Sequence, residues 1–204
     1  ELLKQLHVAG KQVVFVNCSG SAMGLVPETE SCRAILQAWY PGQAAGVAVA
    51  DVLFGDYNPA GRLPITFYKN VDQLPDFEDY NMKGRTYRYF KGEALFPFGH
   101  GLSYTTFTYG QAKLAKAVVK AGNSVELTIP VTNTGKYDGE EVIQVYLNRP
   151  ADVEGPSKTL RAFQRVFLKA GQKQDVKIQL NPDELVWFDT NSNTMRCIPG
   201  EYKL

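Results

Sequence analysis

The sequence is poor in the residues that build metal sites and disulfide frameworks. Its 204 residues include only two histidines and three cysteines, Cys18, Cys32 and Cys197. No cysteine or histidine pair has the spacing of a zinc site, and an odd count of three does not make a disulfide framework. We therefore expect no metal and three reduced, partly buried thiols. A bridge between Cys18 and Cys32 is the alternative that the sequence leaves open.

Charge of one sign and long apolar runs are also lacking. The 22 basic and 21 acidic residues are spread through the chain and leave a formal net charge of +1. Because no basic block or stripe is present, nucleic acid is not expected as a partner. Apolar runs such as VVFV at residues 13–16 are far shorter than a bilayer requires, so no membrane is expected either. A hydrophobic content of 44% is enough to fill real cores.

Residues 1–70 show the pattern of an α/β domain. The predicted elements are a helix, two apolar strands typical of a parallel sheet and a second helix, over residues 2–9, 12–16, 34–40 and 43–54. Gly10 and Gly55 end the two helices. This alternation predicts a doubly wound sheet. Two strands are too few for such a sheet, so we expect its other strands, and the natural N-terminus, to lie upstream of Glu1.

Residues 71–103 are predicted to form a docked connector. Glycine and proline punctuate the segment, and seven aromatic residues lie between them. A simple flexible linker is rich in glycine and serine and poor in aromatics. We therefore expect a segment that lies along a surface and buries its rings.

Residues 104–204 are predicted to be all-β. Residues 125–129 and 176–180 alternate apolar and polar side chains with a period of two, and residues 142–147 and 160–166 complete the strong strands. Turn signals separate these runs. About seven short strands in a hundred residues are typical of a β-sandwich.

Two long motifs carry a resemblance to a known family. They read GDYNPAGRLPITF at residues 55–67 and FPFGHGLSYTTF at residues 96–107, with WYPGQ at residues 39–43 and YRYF at residues 87–90 as further matches. Together they resemble the C-terminal part of glycoside hydrolase family 3, the β-glucosidase and β-xylosidase family. The resemblance implies that residues 1–70 belong to an α/β sandwich domain. It also implies that residues 104–204, with TNTG and GEEV, form a fibronectin type III-like domain.

The same resemblance implies a retaining β-glycosidase that needs no cofactor. Family members carry an aspartate nucleophile on a preceding barrel, and a glutamate acid/base usually lies in the α/β domain before the segment that begins here. A retaining enzyme needs these carboxyl groups about 5 to 5.5 Å apart. No acidic residue of this chain matches either family motif. We therefore expect no catalytic residue in residues 1–204, an inactive chain, and partners in the missing barrel and the rest of the α/β domain.

Two acidic groups could mimic a catalytic pair. Glu28 and Glu30 are expected in the loop after the first strand, and Asp76, Glu78 and Asp79 in the connector. Surface loops also collect acidic residues because water solvates them. We favour this simpler explanation for both groups.

Ser19 and Ser21 are candidate substrate-binding residues. Their loop leaves the carboxyl end of a parallel strand, where open α/β sheets place ligands. Hydroxyl groups there could donate to a sugar or to a neighbouring carboxylate. The alternative, which we favour, is a glycine turn that lets the strand leave the sheet. The surrounding VNCSGSAM resembles β-xylosidase-like bacterial members.

Arg85 and Tyr87 are the other candidate substrate-binding residues. An aromatic ring stacks on a sugar face, and a guanidinium holds a carboxylate ionised. The alternative, which we favour, is that they pin the connector to a domain. His100 lies between two glycines without a ligand partner and is expected to be a packed or turn histidine.

Two functions are compatible with the sequence. The first is the C-terminal portion of an enzyme that hydrolyses terminal β-glucosides or β-xylosides, in which this chain braces the domains and completes one wall of the active site. The second is a non-catalytic carbohydrate-binding or scaffold module, which exposed stacking aromatics on the sandwich would favour. The resemblance implies a periplasmic or secreted protein.

Overall fold

The computed structural model describes residues 1–204 and divides into two compact units. The first unit holds residues 1–57 and 63–100, and the second holds residues 58–62 and 101–204. No helix in either unit combines the length and the apolar content that a membrane crossing needs.

The first unit begins as an alternating α/β structure. Its elements are α1 (Leu2–Val8), β1 (Val14–Asn17), α2 (Val26–Ser31), β2 (Ala34–Gln37) and α3 (Ala45–Phe54). The two strands pair in parallel, from Val14 with Ala34 to Asn17 with Gln37. The predicted parallel sheet is confirmed. Gly55, with a φ of 88°, ends α3 as the sequence predicted.

The chain between the two strands differs from the prediction of a loop. It contains α2, which places Glu28 and Glu30 on a helix and supplies the crossover that parallel strands need. The second strand also ends earlier than predicted, because Trp39 adopts a φ of 58° and turns the chain. All three cysteines are free, and Cys18 is exposed where partial burial was expected.

Little of this α/β part is buried. None of α1, α2 and α3 contains a fully buried residue. On α3, Val47 is 65% exposed and Phe54 84%. A parallel sheet normally has both faces covered, so these apolar surfaces match the prediction that two strands are a partial sheet.

Most aromatic rings in the rest of the first unit pack against one another. Phe77 and Tyr80 are each 92% exposed, so the prediction that this segment buries its rings is wrong for these two. A short 3₁₀ helix (Val71–Gln73) and α4 (Thr86–Tyr89) are its regular elements. Phe67 is 1% exposed and exchanges two backbone hydrogen bonds with Phe96. The His100 ring stacks on Phe96 at 5.2 Å, which confirms the prediction of a packed histidine.

The second unit is a β-sandwich. It has eight strands where about seven were predicted: β3 (Phe107–Tyr109), β4 (Lys113–Leu114), β5 (Val125–Asn133), β6 (Gly139–Leu147), β7 (Thr159–Leu168), β8 (Lys173–Leu180), β9 (Trp187–Asp189) and β10 (Thr194–Arg196). β5 pairs antiparallel with β3, β4 and β8, while β6 pairs with β7 and β9 with β10.

Alternate residues of four strands form the core of the sandwich. The buried members are Leu127, Ile129, Val131, Ile143, Val145, Val166, Leu168, Val176, Ile178 and Leu180. This is the period-two pattern of the sequence, in which every second side chain of a strand points to the same face. Trp187 is 3% exposed, and its indole N–H donates to Asp152, so this tryptophan also belongs to the buried interior.

Asn133 explains the TNTG motif physically. Its side chain is completely buried, and its amide donates to the carbonyls of Tyr137 and Leu168 at 2.8 and 3.0 Å. Its carbonyl oxygen accepts from the Thr105 hydroxyl and the Gly135 backbone N–H. A buried amide is tolerated only when its donors and acceptors are satisfied, and here both ends are.

The segment of residues 58–62 is fastened to the sandwich first by Asn58. Its amide N–H donates to the carbonyl of Asp138 at 3.0 Å. Its carbonyl oxygen accepts from the Ser103 hydroxyl and the Tyr104 backbone N–H, both at 2.8 Å. A Cβ atom at Gly139 would lie 2.7 Å from the Asn58 amide nitrogen, so glycine is needed for this approach.

A buried charge network fastens the same segment a second time. The Arg62 guanidinium lies 2.7 Å from one Glu141 carboxylate oxygen, and the Tyr109 hydroxyl donates to the other at 2.7 Å. Glu141 is 8% exposed. Removing one partner of a buried pair leaves an uncompensated charge, which typically costs about 3–5 kcal/mol.

This network predicts that the free energy of unfolding depends on pH at alkaline pH and that Tyr109→Phe removes this dependence. Partial burial, and then the hydrogen bond to Glu141, raise the pKa of Tyr109. The folded state therefore holds the phenol proton more tightly than the unfolded state, and this stabilisation is lost as pH rises above the ordinary tyrosine pKa of about 10. Because Tyr109 is 48% exposed, water screens this interaction. We expect Tyr109→Phe to lower the free energy of unfolding at neutral pH by about 0.5–1.5 kcal/mol, and the difference from wild type to narrow at higher pH.

The measurement is denaturant unfolding from neutral pH to about pH 11, a range set by the tyrosine pKa. Tyr137→Phe is the control because this side chain is 63% exposed. A gap between wild type and Tyr109→Phe that stays constant over the whole range contradicts the prediction.

Candidate functional site

Polar side chains meet where both parallel strands end. Asn17 is the last residue of β1 and Gln37 the last of β2, and the two are register partners. The Asn17 amide donates to the Gln37 side-chain oxygen at 2.6 Å and to the Ser19 hydroxyl oxygen at 3.0 Å. This edge of an α/β sheet is where ligands bind in open sheets.

Ser19 is held inside this cluster, whereas Ser21 is exposed. The Ser19 hydroxyl donates to the carbonyl of Ser21 at 2.9 Å, and Gln37 donates to the Ser19 carbonyl at 3.3 Å. The two serines therefore share one turn. Within the turn, the Ser19 hydroxyl shapes the loop and the Ser21 side chain faces solvent.

Tyr40 joins this turn and was missed by the sequence reasoning. A Cβ atom at Gly20 would lie 2.4 Å from the Tyr40 ring, so only glycine lets the ring rest on the turn. The ring is 79% exposed. Its position directly after β2 in the WYPGQ motif was the available signal, since that is the same sheet edge as Ser19.

Arg85 organises a second region, which we call the clamped loop (residues 75–85). Its guanidinium donates to three backbone carbonyls, those of Asp76, Asp79 and Asn81, at 2.9, 2.5 and 3.1 Å. The planar fork of arginine suits several acceptors at once. All three carbonyls belong to the connector itself, so Arg85 braces its own loop; the favoured alternative, that it pins the connector to a domain, stays a prediction.

Tyr87 stacks on another ring of its own unit. Its ring lies 4.1 Å from Phe98 with an angle of 18° between the planes. One face of Tyr87 is therefore occupied. The structure gathers Ser19 with Ser21 at the sheet edge, and Arg85 with Tyr87 in the connector; binding of substrate by any of the four stays a prediction.

The acidic residues of the clamped loop are arranged as turn formers. One carboxylate oxygen of Asp79 accepts from the backbone and side-chain N–H groups of Asn81, which hold the pKa of Asp79 below its ordinary value. Asp76 accepts from the backbone N–H of Glu78. A general acid requires a raised pKa, so Asp79 is unsuited to that role.

Comparison with known proteins decides the family. Residues 1–104 match the model of the glycosyl hydrolase family 3 C-terminal domain, and residues 141–204 match that of the fibronectin type III-like domain. The chain belongs to glycoside hydrolase family 3. The resemblance seen in the sequence motifs is confirmed over most of the chain.

Relatives of this family 3 chain are much longer than it is. It is 59% identical to a xylan 1,4-β-xylosidase of Xylanibacter ruminicola, over all of this chain and 23% of the relative. It is 38% identical to a periplasmic β-glucosidase of Salmonella typhimurium, over 93% of this chain and 26% of the relative. The chain thus spans about a quarter of the length of these relatives.

Solved structures agree with the family 3 fold. A β-glucosidase of Erythrobacter marinus matches with a TM-score of 0.84 and 37% identity, over 98% of this chain and 27% of that one. A β-D-glucoside glucohydrolase of Trichoderma reesei matches with a TM-score of 0.86 and 27% identity, over 98% and 32%. The predicted α/β plus fibronectin type III-like architecture is confirmed.

The clamped loop predicts a local effect of Arg85→Lys. The lysine ammonium group cannot bind all three carbonyls as the planar arginine guanidinium does, so the loop should open more often. We expect the backbone amides of Glu78, Asp79 and Asn81 to exchange with deuterium at least about tenfold faster, with core strands of the sandwich unchanged. Arg165→Lys, at a half-exposed ion pair with Glu140, is the matched control. Equal exchange in both variants contradicts the prediction.

Proposed function

We propose that this chain is the C-terminal portion of a retaining β-glycosidase that hydrolyses terminal β-glucosides or β-xylosides. The observation that carries the proposal is the match of the whole chain, at 59% identity, to a xylan 1,4-β-xylosidase. The aspartate and glutamate of the reaction lie in the longer part of the enzyme, upstream of this chain. The chain alone is inactive.

Within that enzyme the chain completes one wall of the active site and braces the domains. Ser19, Ser21 and Tyr40 supply the wall, because they share the sheet edge at which α/β folds bind ligands. Arg85 and Tyr87 act through the connector, where Arg85 holds its loop and Tyr87 stacks on Phe98. The exposed ring of Tyr40 and the hydroxyl of Ser21 suit a sugar, which offers both a stacking face and hydroxyl groups.

The enzyme works in the periplasm or outside the cell. Support for this placement comes from the Salmonella typhimurium relative, which is a periplasmic β-glucosidase.

A graft tests the proposal. This chain replaces the matching 204 residues of the Xylanibacter ruminicola xylosidase, and hydrolysis of aryl β-xyloside and aryl β-glucoside is measured beside the isolated chain. We expect the graft to turn over at least one substrate and the isolated chain to turn over neither. Replacing both serines by alanine in the graft should lower kcat/KM about tenfold, the effect of roughly one lost hydrogen bond.

Two outcomes contradict the proposal. One is a folded graft without activity beside an active parent xylosidase. The other is clear turnover by the intact isolated chain. The candidate catalytic residues would then be Glu28, Glu30, Asp76, Glu78 and Asp79.

A second candidate function is a non-catalytic carbohydrate-binding module. Phe163 and Phe167, 70% and 53% exposed, lie on the same face of β7, and such rings stack on sugars. This reading requires the isolated chain to be retained on insoluble xylan or cellulose, with retention lost when both rings are replaced by alanine.

A further inference from the structure

Phe77 and Tyr80 are the two most exposed large hydrophobic side chains of the protein. Each is 92% exposed, and both project from the clamped loop. Single exposed hydrophobic residues are common on protein surfaces, whereas several that form one patch mark sites of interaction. Two almost fully exposed rings three residues apart on one short loop are therefore candidates for anchors that a partner covers.

The backbone beneath these rings is held in one shape. Three carbonyls of the loop are tied to the Arg85 guanidinium, and the carboxylates of Asp76 and Asp79 accept backbone N–H groups inside it. At its base, the backbone N–H of Thr86 donates to the Tyr68 hydroxyl at 2.8 Å. A loop that is already ordered loses less conformational entropy on binding.

Charges of both signs surround the two rings. Asp76, Glu78 and Asp79 flank Phe77 and Tyr80 in the sequence, and Lys83 and Arg85 belong to the same loop, so three acidic and two basic residues give it a formal net charge of −1. The pattern is that of an apolar anchor with a charged rim. Its complement is an apolar pocket surrounded by polar and charged groups.

We infer that the clamped loop is a docking element that inserts Phe77 and Tyr80 into the part of the family 3 enzyme that this chain does not contain. This inference rests on the proposed function. Relatives carry about three-quarters of their length beyond the matched region, which is the polypeptide that this loop would contact. Protruding, preorganised aromatic residues are the type of side chain that dominates binding energy at interfaces.

A sugar chain is the competing occupant of the same rings. Aromatic faces and carboxylates also suit the CH faces and hydroxyls of a saccharide. The docking inference predicts that the loop governs assembly, whereas a sugar site would govern substrate affinity. The experiment below separates these two readouts.

The experiment is a split enzyme. The remaining three-quarters of the Xylanibacter ruminicola xylosidase is produced as one chain and the complete 204-residue chain as a second, tagged chain. Association is measured by titration, and hydrolysis of aryl β-xyloside is measured on the purified pair. The double variant Phe77→Ala/Tyr80→Ala is compared with Phe163→Ala, which removes an exposed ring from the sandwich.

We expect the double variant to associate at least tenfold more weakly than wild type and Phe163→Ala to match wild type. Arg85→Lys should fall between them because the loop is then less ordered. The isolated double variant should unfold at the wild-type midpoint, because neither ring is packed.

An unchanged association constant in the double variant would overturn the inference. If the KM for xylo-oligosaccharides is raised in that same variant, the rings are assigned to substrate. If the two wild-type chains do not associate, the covalent graft decides: equal rates of thermal inactivation of the wild-type and double-variant grafts overturn the inference. An inactive wild-type graft instead counts against the proposed function.

Discussion

A parallel β-sheet must be covered on both faces, and two strands with three short helices cannot meet that requirement. This constraint explains most of what is unusual in the first unit. Its strands pair in register, yet α3 leaves Val47 and Phe54 largely exposed. The few buried side chains there, such as Phe67 and Leu25, lie outside the helices. The unit therefore has the hydrogen bonding of an α/β fold without its full core.

The sandwich covers its apolar sheet faces with strands of its own sequence. Antiparallel strands need only one buried face, and β5 and β8 face β6 and β7 across a continuous apolar core. In addition, this unit buries two polar side chains whose hydrogen bonds or charge are matched by other groups. Asn133 and Glu141 are both buried, and each has its hydrogen bonds or charge matched by neighbours from distant parts of the sequence.

Sequence patterns predicted the elements whose side chains repeat along the chain. The alternation in β5 and β8 and the apolar run of β1 are local signals, and they were interpreted correctly. The helix α2 has no such repeat, because VPETES carries one apolar residue besides its proline, and so it was taken as a loop. Individual side-chain contacts were not predictable in this way. The position of Tyr40 after β2 signalled its sheet edge, but nothing in a single sequence tells that its ring rests on Gly20 or that Arg85 binds three carbonyls.

Because residues 58–62 belong to the second unit, the two units cannot be exchanged independently during evolution. The coding sequence of the sandwich is not one continuous block, since five of its residues are encoded between two stretches of the other unit. A rearrangement that deletes or exchanges everything after His100 therefore leaves Asn58 and Arg62 behind. The new sandwich then has no residues selected to bind these two side chains. Exchange of these units between genes succeeds only when both positions change together, so the two units are expected to share one evolutionary history.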